Sequence, residues 1–209
     1  FLLMFDFQDI LNVIDWFQNS LSVIYPGTKN ISKKFELHKD TNLLQVFKDM
    51  LDYFDTGIDG IEFKEVDFEK MEIPSEVKED IKNDLFSEKS EKTGAFLSNP
   101  EDDKYYVISQ KDDLTIQAKL LKTKHKVVGG GFELFDLKDE SDGTRRIMDL
   151  IPLLIDFFIG GNVFVVDEIE RSLHPNLVRN FFEFILDKCE NINSQLIVSS
   201  HEATLLTQK

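Results

Sequence analysis

Two apolar runs in this chain end in side chains able to do chemistry. "VFVVDEIERSLHP", Val163 to Pro175, stops at the adjacent carboxylates Asp167 and Glu168 and sets Ser172, Leu173, His174 and Pro175 just beyond them. "QLIVSSHE" ends its own run at His201. An acid pair at a strand tip suits hydrolysis of a nucleotide: one carboxylate holds Mg2+, commonly through water, and the other orients and deprotonates the attacking water. An imidazole at a neighbouring tip would contact the terminal phosphate. A third stretch, "ESDGTRRIMDL", places Ser141 and Gly143 ahead of a helix whose first amides and dipole favour an anion. Plainer readings stand beside these: strand-end polar residues for Asp167 and Glu168, a helix cap for His201, an N-cap for Ser141 and a turn residue for Gly143.

The elements that must position these groups are legible from periodicity. "VFVVDE", a helix opened by Pro175, and "QLIVSSHE" form a strand, helix, strand unit, which implies a parallel sheet. A right-handed crossover puts both tips on one edge, where such sheets carry their active groups. The intervening helix shows a stripe of Val178, Phe181, Phe182, Ile185, Leu186 and Cys189. Upstream, "QDILNVIDWFQNSL" and "TNLLQVFKDMLDYF" have helical spacing, with a loop from Pro26 through Asp40 between them. "IEFKEV" alternates as a strand and "PSEVKEDIKNDLF" reads as a charged helix, followed by a polar segment from Ser87 to Asp103 with few core candidates. "KYYVISQ", "LTIQAKLLKT" and "FELFDL" read as an antiparallel hairpin or meander, the glycines Gly129, Gly130 and Gly131 making a turn.

With 209 residues the chain can bury a core in one domain, or in one domain with an inserted lobe. The single cysteine, Cys189, cannot form an internal disulfide, and no apolar run is long enough to span a bilayer, so a cytoplasmic protein without membrane contact is expected. A net charge of -15 disfavours broad binding of phosphate backbones, so any DNA partner is expected to be held elsewhere. The basic cluster Lys122 to Lys126 reads as a solvated strand edge. The short opening "FLLMF" and the ending "LLTQK" read as interior segments of a longer protein.

Taken together, "ESDGTRR", "VFVVDEIERSLHP" and "QLIVSSHEATLL" resemble the second half of an ABC-type ATPase head, of the AAA-like kind related to SMC, RecF and OLD ATPases and found in bacterial restriction-associated and anti-phage systems. The likeness is close over the last third of the chain and looser at "WFQNSL" and "FDTGIDGI". It implies an α/β, P-loop NTPase-like fold: a partial parallel sheet flanked by helices, a mainly helical lobe over residues 1–103, and the C-terminal half of the ATPase core over 104–209. It further implies ATP and Mg2+ as cofactors and a homodimer of heads. Asp167 would hold the magnesium, Glu168 would be the catalytic base, and His201 the switch histidine. Ser141, Asp142, Gly143 and Thr144 would form the signature loop that meets the phosphate held by the opposite copy. Ser172, Leu173, His174 and Pro175 would form the D-loop packed across the dimer.

Departures accompany the likeness. Asp142 stands where transporter signatures carry the first of two glycines, and Ile169 and Glu170 follow the acid pair where transporters have proline, which argues against a transporter motor. A phosphate-cradling G-x-x-x-x-G-K-[ST] is absent from these residues, so truncation is expected and the chain alone should be inactive. The expected function is a conformational motor or switch that controls a nuclease or other effector. The alternative is a non-catalytic interaction module on an inherited ATPase scaffold; a metal-dependent nuclease site built from Asp167, Glu168, His174 and His201 is a third reading.

Overall fold

The computed structural model describes residues 7–29, 37, 39–86, 94–99, 103–111 and 115–203. The opening "FLLMF" and closing "LLTQK" lie outside them, as do parts of the expected 26–40 loop and of the polar 87–103 segment. The fold is mixed α/β with P-loop NTPase-like elements. It divides into two compact units, one of residues 1–29 with 146–209 and the other of residues 30–145. The first 103 residues hold strands as well as helices.

The first unit is built on a three-stranded parallel sheet. Strand β1 (Leu21–Ile24) pairs with β7 (Val163–Val166), which pairs in turn with β8 (Gln195–Val198), so β7 is central. The run "VFVV" is apolar at every position, as a central strand requires. Helix α5 (Pro175–Lys188) makes the crossover between β7 and β8 and is opened by His174, whose Nδ1 accepts the Asn176 N–H at 3.3 Å. Its buried face is Val178, Phe181, Phe184 and Ile185, whereas Leu186 is exposed. The expected stripe is therefore rotated slightly, because Phe184 packs edge-on against Phe158 with ring centres 5.6 Å apart. Phe158 belongs to helix α4 (Asp142–Ile159), whose Phe157 also faces Phe164 of β7 at 6.4 Å.

Helix α1 (Phe7–Asn19) forms where the periodicity predicts it, yet none of its residues is buried. Ile10, Val13, Ile14 and Phe17 stay exposed because no described residue covers them: spacing shows that a face is apolar, not what meets it. Strand β1 follows it directly and was not evident in the sequence. Four residues are too few to display an alternation, and pairing with β7 is what makes them a strand.

The second unit is an antiparallel sheet with helices α2 (Thr41–Tyr53) and α3 (Ser75–Phe86). Strand β5 (Ile116–Lys126) is its spine: β2 (Gly60–Val66) runs along one edge, while β4 (Lys104–Gln110) and β6 (Phe132–Phe135) share the other. The expected meander is thus present. Between β5 and β6 the three glycines Gly129, Gly130 and Gly131 all have φ between 93 and 104°, a conformation that other residues adopt only under strain, which is why a glycine triplet closes this hairpin. Strand β3 (Gly94–Asn99) pairs with β4 inside the polar 87–103 segment, where the sequence offered few core candidates. Its few apolar residues concealed it, and backbone pairing at the sheet edge is what orders it. Phe68, Met71, Ile81, Leu85, Tyr106, Ile108, Ala118 and Leu120 make one core between α3 and the sheet. No described helix is long and apolar enough to cross a membrane.

Candidate functional site

The parallel register sets Val166 opposite Val198, so the chain leaves both strands at the same level. Asp167, Glu168 and His201 follow at these tips. Hydrogen bonds extend the pairing past the strands: Ser199 N–H donates to Val166 O at 2.9 Å and Ile169 N–H to Ser199 O at 3.2 Å. His201 Nε2 lies 3.8 Å from Glu168 Oε1, with the imidazole open to solvent.

Ser199 ties the acid pair together. Its hydroxyl donates to Asp167 Oδ1 at 2.5 Å and accepts the Glu168 N–H at 2.8 Å. Glu168 has φ of 46°, in the left-handed region that non-glycine residues enter at a cost of about 1–2 kcal/mol. Such strain persists where neighbours hold it. Ser199→Ala removes both bonds at a solvent-exposed position. It is expected to destabilise the chain by about 1–2 kcal/mol in urea unfolding; an unchanged midpoint would show that Ser199 restrains neither carboxylate-bearing residue.

Glu170 is a second residue whose role the sequence did not disclose. Its Oε1 accepts the backbone N–H of His201 at 2.8 Å, while its Oε2 is buried without a hydrogen-bond partner among the described residues. Desolvation pushes the Glu170 carboxyl up, but the N–H of His201, its own N–H, the Ser200 hydroxyl and the nearby His201 ring outweigh it, leaving it below the ordinary glutamate value. A depressed folded value means that the stabilisation is complete above the ordinary glutamate pKa and fades as pH falls through the folded one. Stability measured from about pH 6 to pH 3 should therefore decline less steeply in Glu170→Gln than in the parent; identical slopes would refute a contribution from this carboxylate.

The loop after Glu168 is a tight, internally bonded turn. Arg171 N–H reaches Glu168 O at 2.9 Å, Leu173 N–H reaches Glu170 O at 2.8 Å, and Ser172 is left-handed at φ 65°. Ser172 and His174 are exposed while Leu173 is buried, which anchors the loop between two outward side chains. The Arg171 guanidinium stands 3.5 Å from Glu168 Oε2.

Ser141, Asp142, Gly143 and Thr144 belong to the second unit and start α4. Ser141 Oγ accepts the Thr144 N–H at 3.0 Å and meets Thr144 Oγ1 at 2.8 Å, so Ser141 does cap the helix. Asp142 pairs with Arg145, which also holds Asp103. Gly143 lies in the first helical turn and is not among the glycines with positive φ, so its absent side chain, not an unusual backbone, is what distinguishes it.

The Asp167 carboxylate accepts one hydrogen bond among the described residues, through Oδ1, leaving Oδ2 as a hard oxygen donor of the kind Mg2+ takes. No three His, Cys, Asp or Glu side chains among the described residues are grouped to hold a metal ion between them.

A parallel β-α-β unit delivering an acid pair and an imidazole to one sheet edge defines an α/β protein of the P-loop NTPase-like class. More particularly, the chain belongs to the family described as "AAA domain, putative AbiEii toxin, Type IV TA system", which matches residues 13–207. This is a family of AAA-type, ATP-binding domains. No curated protein matches the sequence.

Proposed function

We propose that this chain carries the C-terminal half of an ABC-type ATPase head, related to those of SMC, RecF and OLD proteins, and that two such heads close on ATP. The observation that supports this reading most is the tethered set at the strand tips: Asp167 and Glu168 joined through Ser199, with His201 Nε2 3.8 Å from Glu168 Oε1. Asp167 would hold Mg2+, which when bound neutralises phosphate oxygens. Glu168 orients and deprotonates the attacking water, and His201 hydrogen-bonds the terminal phosphate. Ser141 to Thr144 offer a helix start to the phosphate held by a second copy, and Ser172 to Pro175 form the loop facing that copy. Closing and reopening of the pair would switch an effector, such as a nuclease, in an anti-phage setting. DNA, where involved, is contacted outside this acidic chain.

The loop that cradles the β- and γ-phosphates is not among these 209 residues. Purified as it stands, the chain should release no phosphate from Mg2+ and ATP above background, whereas a longer polypeptide supplying a G-x-x-x-x-G-K-[ST] loop should turn over. Hydrolysis by the isolated chain would overturn the assignment. A second reading, a protein-interaction module, draws on the exposed apolar stripe of α1; it predicts that the longer polypeptide binds its partner unchanged when nucleotide is withheld.

A further inference from the structure

Thr123 and His125 are two residues apart on β5 and therefore point to the same face of the sheet. Both reach a single atom, Glu140 Oε1: the Thr123 hydroxyl donates at 2.5 Å and His125 Nε2 lies at 2.7 Å. An ionised carboxylate only accepts, so the imidazole must carry its proton on Nε2 to serve Glu140. The ring is set for this by Phe135 of β6, which meets it edge-on with centres 5.1 Å apart.

Only 8% of the Glu140 side chain is exposed and Thr123 is fully buried. A carboxylate taken out of water is tolerated when its charge is answered by donors, and here both donors come from one strand. Glu140 is also the last residue before Ser141. Its own N–H is held by Leu137 O at 3.1 Å, so side chain and backbone are fixed together. One peptide step further on, Ser141 begins the capped turn through Thr144.

We infer that Glu140, gripped by Thr123 and His125, is a positioning residue that fixes where the Ser141–Thr144 turn starts and fastens it to the antiparallel sheet. The functional part of this rests on the reading of that turn as the element that meets a second copy's phosphate. The sheet of the second unit thereby acquires a use, with β5 as the rigid platform from which the turn is presented. Glu140 touches no substrate, and its influence runs through the backbone of Ser141.

The test separates this inference from the reading beneath it. Backbone order parameters from nitrogen relaxation are measured on the 209-residue chain for Ser141 to Arg145, with Val107 and Ile108 of β4 as internal references. In Glu140→Ala the turn should fall from about 0.85 to below about 0.6 while β4 keeps its value. Glu140→Gln retains an acceptor for both donors and should recover most of the order. An ordered turn in Glu140→Ala would overturn the inference. Should that variant lose order in β4 as well, Thr123→Val decides, since it keeps the volume and deletes one donor: a turn as ordered as in the parent would overturn the inference, and a selectively loosened one supports it. In a longer polypeptide with the phosphate loop, Glu140→Ala should lower kcat by about tenfold or more with KM for ATP unchanged, the loss expected for hydrogen bonds to a charged group. A loosened turn with parental kcat would leave the positioning role standing and remove the turn from the ATPase site.

Discussion

Glu168→Gln, introduced into a polypeptide that includes the phosphate loop, is expected to lower the rate of ATP hydrolysis by about 100- to 10,000-fold, the range associated with loss of a positioned general base. Glutamine preserves the size of the side chain and its weak contact with Arg171, and it leaves the backbone bond to Ser199 untouched. What it removes is the ability to take a proton from water. Asp167 and His201 are unaltered, so nucleotide should still bind, and a pair of heads closed on uncleaved ATP should accumulate. Phosphate release read against nucleotide binding separates the two effects, and size-exclusion chromatography with ATP reports the closed pair. Turnover at the parental rate would show that Glu168 is not the base and that another group activates the water. A fall in binding with no change in kcat would place Glu168 in nucleotide recognition instead.

Phe181→Ala should destabilise the chain by about 3–5 kcal/mol, the cost of emptying a large aromatic site in a packed interior. Phe181 has no exposed surface and sits on the buried face of α5 with Val178 and Ile185. That helix is the crossover between β7 and β8, and the alignment of Val166 with Val198 brings Asp167 to Ser199 and Glu168 to His201. A cavity there weakens the connection on which the tip geometry depends. Leu186 on the same helix is 57% exposed, and Leu186→Ala should change stability by no more than about 0.5 kcal/mol. Urea unfolding of the two variants provides the comparison. Equal losses would mean that Leu186 packs as the stripe read from the sequence has it, and not on the open side of α5.

The contrast between Phe184 and Leu186 marks how far periodicity reaches. Spacing identified α5 and its approximate apolar side, but a helix can rotate by a fraction of a turn to admit an aromatic partner, here Phe158. The stripe on α1 is the opposite case: the helix is present and its apolar side is bare. In the same way, the glycine triplet announced a turn because positive φ is a local demand, while β1 and β3 went unnoticed because a short strand is defined by its neighbour.

By itself the sequence determined the order of helices and strands from β4 onward, the parallel pairing of β7 with β8, and the arrival of Asp167, Glu168 and His201 at one sheet edge. These follow from residue periodicity and from the handedness of a single crossover, both of which act over short stretches of chain. Tertiary structure alone decided that Ser199 links the two carboxylates, that Glu170 holds the His201 backbone, and that Thr123 and His125 close on Glu140. Hydrogen bonds of this kind join residues 15 to 32 positions apart within about 3 Å. Whether such partners meet depends on strand register and burial, which no local pattern of residue types encodes.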